Sequence, residues 1–105
     1  MGYIDKKNDC LYFIQSSNNG MIKIGRSKDP ERRLNQLQTG SPHKLKLICF
    51  FKDDGHKEKF LHETLKKFRI RKNNEWFDYK CVGSIPEEFY EKIPWGSFDD
   101  WWEEN

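Results

Sequence analysis

No stretch of this 105-residue chain approaches the run of about 18 apolar residues that spans a membrane. The polar first nine residues also lack the apolar core of a signal peptide, so a cytoplasmic protein with no membrane partner is the expectation. Cysteine is scarce: Cys10, Cys49 and Cys81 are odd in number and lack C-x-x-C spacing. That argues against zinc and against a disulfide framework, and two of the three sit in apolar strand-like runs where reduced, buried thiols belong. Hydrophobic residues make up only 35% of the chain, aromatics 15%. A few large rings must therefore supply much of the buried area that many aliphatics usually give. No internal repeat is present, and the length suits one domain with one modest core.

What the chain does have is charge, unevenly placed. Residues 1–86 carry 18 Lys/Arg against 10 Asp/Glu, a balance of +8, while residues 87–105 carry one Lys against seven acids, a balance of −6. A basic body of this kind suits a polyanion such as nucleic acid.

In chain order, residues 1–9 read as a polar, loosely packed N-terminal tail. Cys10 to Gln15 is rich in β-formers and too short for a helix, which predicts a strand. Ser16-Ser17-Asn18-Asn19-Gly20 is a turn cluster whose Asn and Gly tolerate positive φ, and Met21 to Gly25 reads as the returning strand of a hairpin. Asp29-Pro30-Glu31 starts a helix, with Asp as cap and Pro at the first helical position, and Thr39-Gly40 stops it. At about 100° per residue, Leu34 and Leu37 define its buried direction. Arg33 falls at the edge of that stripe, and Arg32 points nearly opposite. Leu45 to Phe51 forms a third strand, with Leu45, Leu47, Cys49 and Phe51 on one face. Ile48 and Phe50 make the other face apolar too, so a central strand covered on both sides is expected.

His56 to Phe68 reads as a second helix with Phe60, Leu61, Thr64, Leu65 and Phe68 as its stripe. Glu58 projects at the margin of that stripe with His62 one turn on, while Glu63 points away. Arg69 to Asn74 is a basic loop, Glu75 to Tyr79 a short aromatic segment suited to a sheet edge, and Pro86 to Lys92 a short third helix. Residues 93–105 form an acidic aromatic tail. Its simplest role is to fold back over apolar surface, and its sharper one is to mimic nucleic acid against the basic face.

These residues carry a resemblance. Leu11-Tyr12-Phe13 and Lys23-Ile24-Gly25 stand where the GIY-YIG nuclease superfamily has its two naming motifs, with Tyr12 and Lys23 eleven positions apart. Arg33 follows Gly25 by eight. Glu58-Lys59-Phe60-Leu61-His62 resembles the Glu-x-x-Leu-His of the superfamily's divergent phage-type branch, and Asn74-Glu75-Trp76-Phe77 its Gly-Glu-Trp-Phe ending. The similarity covers about residues 10–79, within a domain of residues 10–92.

The resemblance implies an α/β (α+β) fold with a small three-stranded antiparallel sheet flanked by helices, and metal-dependent hydrolysis of DNA phosphodiesters. Tyr12 would be general base, Arg33 the ligand of the scissile phosphate, and Glu58 the ligand of Mg²⁺ or Mn²⁺. Lys23 replaces the tyrosine of the second motif, where it would lower the pKa of Tyr12 or touch the phosphate. His43 and His62 remain alternative proton donors or phosphate contacts. Glu75 is open between a structural bond at the sheet edge and a second contribution to the metal. Arg26, Lys28, Arg32, Lys44, Arg69, Arg71 and Lys72 would contact phosphates in this reading. A chain this short would have limited sequence specificity, or take it from a homodimer or a partner protein. Two alternatives share the residues: a binding module of the same fold that does not cleave, and a protein-interaction or inhibitor protein led by the tryptophan-rich end.

Overall fold

The computed structural model describes residues 9–70, 75–94 and 101. Strand β1 (Cys10–Ser16) and strand β2 (Ile22–Ser27) form the expected hairpin, paired from Cys10 opposite Ser27 to Gln15 opposite Ile22. The turn closes with Asn19 at φ 60° and Gly20 at φ 70°, the left-handed conformations that Asn and Gly accept at least cost. Helix α1 (Pro30–Thr39) begins as the sequence dictates, with the Asp29 carboxylate accepting from Arg32 N–H at 3.1 Å and Pro30 at its first position. A cap of this kind is worth about 1 kcal/mol.

Strand β3 (Leu45–Phe51) pairs antiparallel with β1, and the short β4 (Trp76–Phe77) with β2, giving a four-stranded antiparallel sheet in the order β3-β1-β2-β4. The three-stranded sheet read from sequence is there, and the aromatic segment adds the fourth strand at its edge. The order corrects one expectation. The central strand is β1, buried along its whole length, and β3 lies at an edge, where Phe50 is 38% exposed. The apolar run in β3 has a different cause: a bulge. Phe13 pairs with Cys49 but Ile14 with Leu47, so Ile48 is an extra residue and the odd-numbered side chains change face there. Leu45 and Leu47 pack beside Tyr12 and Ile14 against α1, whereas Cys49 and Phe51 pack on the opposite face.

That opposite face holds the main core. Leu11, Phe13, Ile22 and Ile24 from the sheet meet Leu61 of helix α2 (Glu58–Thr64) and Leu65 at its C-cap, and Phe77, Cys81, Ile85 and Phe89 from the C-terminal segment with helix α3 (Glu87–Tyr90). The long second helix of the sequence reading is broken into a 3₁₀ turn at Gly55–Lys57, α2 itself and a second 3₁₀ turn at Lys66–Phe68. Its stripe is narrower than expected: Leu61 and Leu65 are buried, but Phe60 is 54% exposed and Thr64 faces solvent. All three cysteines are free thiols, and burial pushes Cys49 and Cys81 up to about 12.

Asp9, placed by sequence in the loose tail, is fixed. Its carbonyl accepts from Gly55 N–H at 3.0 Å and its carboxylate pairs with Arg26. Of the acidic tail, Ile93, Pro94 and Trp101 are described, and Ile93 is buried in the main core. The Trp101 indole N–H donates to the buried Gln15, and the Lys46 ammonium lies 5.5 Å from its ring. Gln15 alternates with Tyr12 and Ile14, so Trp101 covers the sheet on the face away from Tyr12.

Candidate active site

Tyr12 on the central strand points toward α1, among Ile14, Leu45, Leu34 and Leu37. Its ring lies over Gly25, its cross-strand partner. A Cβ at position 25 would stand 2.4 Å from the phenol oxygen, so only glycine leaves room for this tyrosine. Arg33 is half-buried on α1, as its place at the stripe edge predicted, and its guanidinium lies near enough to the phenol to favour the charged form of Tyr12. A second contact, 3.4 Å from Nη1 to Gln36 Oε1, steadies the same side chain. Arg32 is exposed on the other side of the helix.

Lys23 is on the same face as Tyr12 and only 7% exposed. A buried ammonium needs a partner, and it has two: Glu75 Oε1 at 3.0 Å and the Trp76 ring, whose centroid is 5.5 Å away. The phenol pKa is raised, and Lys23 is not among the groups that shift it. Burial raises it most and the charges of Glu75 and Glu58 add to that, while Arg33 opposes them.

Glu58 reaches the sheet from the other side, at the first turn of α2, which packs on β2. Its carboxyl lies beside that of Glu75 and is held up to about 7, by burial first and then by the charge and hydrogen bonding of Glu75, with Arg26 and Lys23 pulling the other way. His62, one turn after Glu58, has Nε2 2.7 Å from the Ile24 carbonyl. A carbonyl can only accept, so Nε2 carries the hydrogen and Nδ1 keeps its lone pair. The Arg69 guanidinium lies 3.5 Å from that Nδ1 and 5.8 Å from the Phe77 centroid.

Glu58, His62 and Glu75 each place one ligand atom within 4.8 Å of the others. Two acids forced to share a proton are the arrangement a divalent cation relieves by replacing that proton. The donor set fits: two carboxylates give the hard oxygens that Mg²⁺ and Mn²⁺ favour. The imidazole, fixed by its bond to a backbone carbonyl, has the support that ligating histidines have.

Lys23, Glu58 and His62 thus lie along β2, and the charges of Arg33 and Glu58 reach the Tyr12 phenol on the adjoining strand. Glu75, to which sequence reasoning gave no settled role, joins them: it contacts Lys23 and Glu58 and its charge reaches Tyr12. The available signal was its position directly before the edge strand, which sets it against β2. His43 lies apart, on an exposed loop lining a cleft with Leu37, Leu45 and Trp76. Lys28, Arg32 and Lys44 are exposed, Arg26 is held by Asp9, and Arg69 is half-buried beside His62. Arg71 and Lys72 lie outside the described residues.

A small α+β domain with an acid, a phenol and two cations set about β1 and β2 is the class this geometry defines. The sequence profile of the T5orf172 domain matches residues 9–95, and the chain belongs to that family, a phage-associated domain related to nuclease-like folds. Comparison with curated proteins and with solved structures returns no match. Among the described residues no helix is long and apolar enough to cross a membrane.

Proposed function

We propose that this protein is a GIY-YIG-type endonuclease that hydrolyses DNA phosphodiesters with Mg²⁺ or Mn²⁺. The observation that carries the reading is the cluster of Glu58, His62 and Glu75, whose ligand atoms lie within 4.8 Å of one another, with the Lys23 ammonium 3.0 Å from Glu75 and the charges of Glu58, Glu75 and Arg33 all acting on the Tyr12 phenol. Arg33 would bind the scissile phosphate through a planar, always-charged donor pair. Tyr12 would take the proton of the attacking water. Glu58 and Glu75 would hold the cation, with His62 beside them, and a bound cation would supply charge neutralisation on the phosphate. Neutralising the two acids also removes two of the causes that hold the phenol up, which brings Tyr12 closer to working as a base. Lys23 keeps Glu75 turned inward; phosphate contact would require it to exchange that partner.

The alternative of a binding module that does not cleave draws on the raised pKa of Tyr12 and on the internal pairing of Lys23. Supercoiled plasmid incubated with Mg²⁺ separates the two. Nicking that is lost in a folded Arg33→Ala variant supports the nuclease. Salt-sensitive DNA binding without any strand scission by the wild-type chain supports the module. Association with a protein that is indifferent to salt, with no DNA binding at low salt, would instead favour the interaction protein.

A further inference from the structure

A cleft of about 430 Å³ opens on the Tyr12 face of the sheet, between the β1–β2 turn, the C-terminal end of α1 and β4. Among the described residues no Asp, Glu, Lys or Arg lines it. Leu37, Leu45 and the flat ring of Trp76 supply its apolar wall, and the Asn18 and His43 side chains supply hydrogen-bonding groups of both senses, while the Ser41 hydroxyl bonds the His43 backbone and shapes the rim. Such a lining suits a planar, polar-edged group. The volume lies within the range of about 300–1,000 Å³ that holds one small ligand, far too little for a duplex.

Two residues join this cleft to the candidate active site. Leu37 stands one helical turn after Arg33, so the cleft wall and the phosphate-binding guanidinium are neighbours on one stripe. Trp76 forms the cleft wall and also carries the Lys23 ammonium 5.5 Å from its ring. A strand whose phosphate lies at Arg33 would thus bring an adjacent base to the cleft. We infer that the cleft is the seat of one unpaired nucleobase of the bound strand, stacked on Trp76 and read at its edge by Asn18 and His43. This rests on the nucleic-acid reading of the neighbouring site, and it extends that reading from phosphate contact to recognition of a base out of its helix.

Binding of the full chain to labelled single-stranded oligonucleotides, with one abasic position moved along the strand, tests it in EDTA at low salt by fluorescence anisotropy. At one position, loss of the base should weaken wild-type binding on the order of 5- to 100-fold, the usual worth of a stacked base. Gly40→Phe should remove that sensitivity by filling the cleft. Gly40 lines it, has an ordinary φ of −94°, and an added Cβ would meet nothing closer than 4.0 Å. His43→Ala, on an exposed loop, should reduce the sensitivity several-fold without disturbing the fold. Equal effects of base loss at every position, or a sensitivity unchanged in both variants, overturn the inference. If Arg33→Ala weakens binding while no abasic position matters, the base seat alone is lost and the nuclease reading stands. If no oligonucleotide binds and no DNA is cut, both are lost.

Discussion

The two faces of the sheet were built for different work. Among the described residues, the face covered by α2 and the C-terminal segment buries twelve residues in one apolar cluster, from Leu11 and Phe13 to Phe89 and Ile93. The face covered by α1 buries an apolar cluster of three, Tyr12, Ile14 and Leu45, with leucines only partly covered around them. Lys23 and an open cleft occupy space that the second face leaves unfilled, and Glu58 and His62 reach β2 from α2 on the first face. Apolar packing is concentrated on one side, and the site straddles β2 between the two. A domain of this size can hold a raised carboxyl and a buried lysine because the large cluster supplies most of the folding energy.

This division can be broken from either side. The largest effects belong to the chemistry of the open face. Tyr12→Phe keeps the packing and removes the hydroxyl, so plasmid cleavage should fall by about 10²- to 10⁴-fold with little change in melting temperature. On the closed face the effect should appear in stability. Leu61→Ala, at a fully buried position, should cost about 2–5 kcal/mol in urea unfolding while substrate affinity per folded molecule is retained. Gly25→Ala joins the two faces of the argument, since its added methyl overlaps the phenol. A loss of about 1–3 kcal/mol is expected, smaller in a Tyr12→Ala background where the overlap is gone.

A smaller effect follows from Glu58, held up to about 7 in the folded protein against 4.5 for an ordinary glutamate. Between those values the folded state binds the proton more tightly than the unfolded one. Stability of the cation-free protein should therefore be greatest at the acid end of that window and decline as pH rises from about 4.5 to 7. Melting curves across that window should flatten in Glu58→Gln, and Mg²⁺ at neutral pH should raise the wild-type melting temperature. The smallest effect is expected at Phe60, which the helical stripe assigned to the core and the structure leaves exposed. Phe60→Ser should change stability by no more than about 0.5 kcal/mol.

The local elements were legible because their causes are local. The Asn-Gly turn, the Asp-Pro cap and the position of Arg33 against Leu34 and Leu37 all follow from a few neighbouring residues. The sheet order was not, because a strand covered by apolar residues on both faces can be central or bulged, and the periodicity of β3 alone does not distinguish them. The stripe of α2 was overread for a similar reason: Phe60 is apolar, but among the described residues it is left 54% exposed. In the site, Tyr12, Arg33 and Glu58 could be picked by spacing, while the partners of Lys23 could not. Its pairing with Glu75 spans 52 positions and depends on β4 docking beside β2. Asp9 escaped the reading in the same way, being held by Gly55 and Arg26 from later in the chain.

The extra residue in β3 makes one strand serve two masters in sequence: its first half is phased to α1 and its second half to the large cluster. Removing Ile48 would restore an unbroken alternation, and one half would then have to present its leucines or its aromatic ring to the wrong layer. Changes of length in this strand should thus be far less tolerated than changes of side chain, and a one-residue deletion there is expected to abolish folding that a conservative Ile48→Val would leave intact.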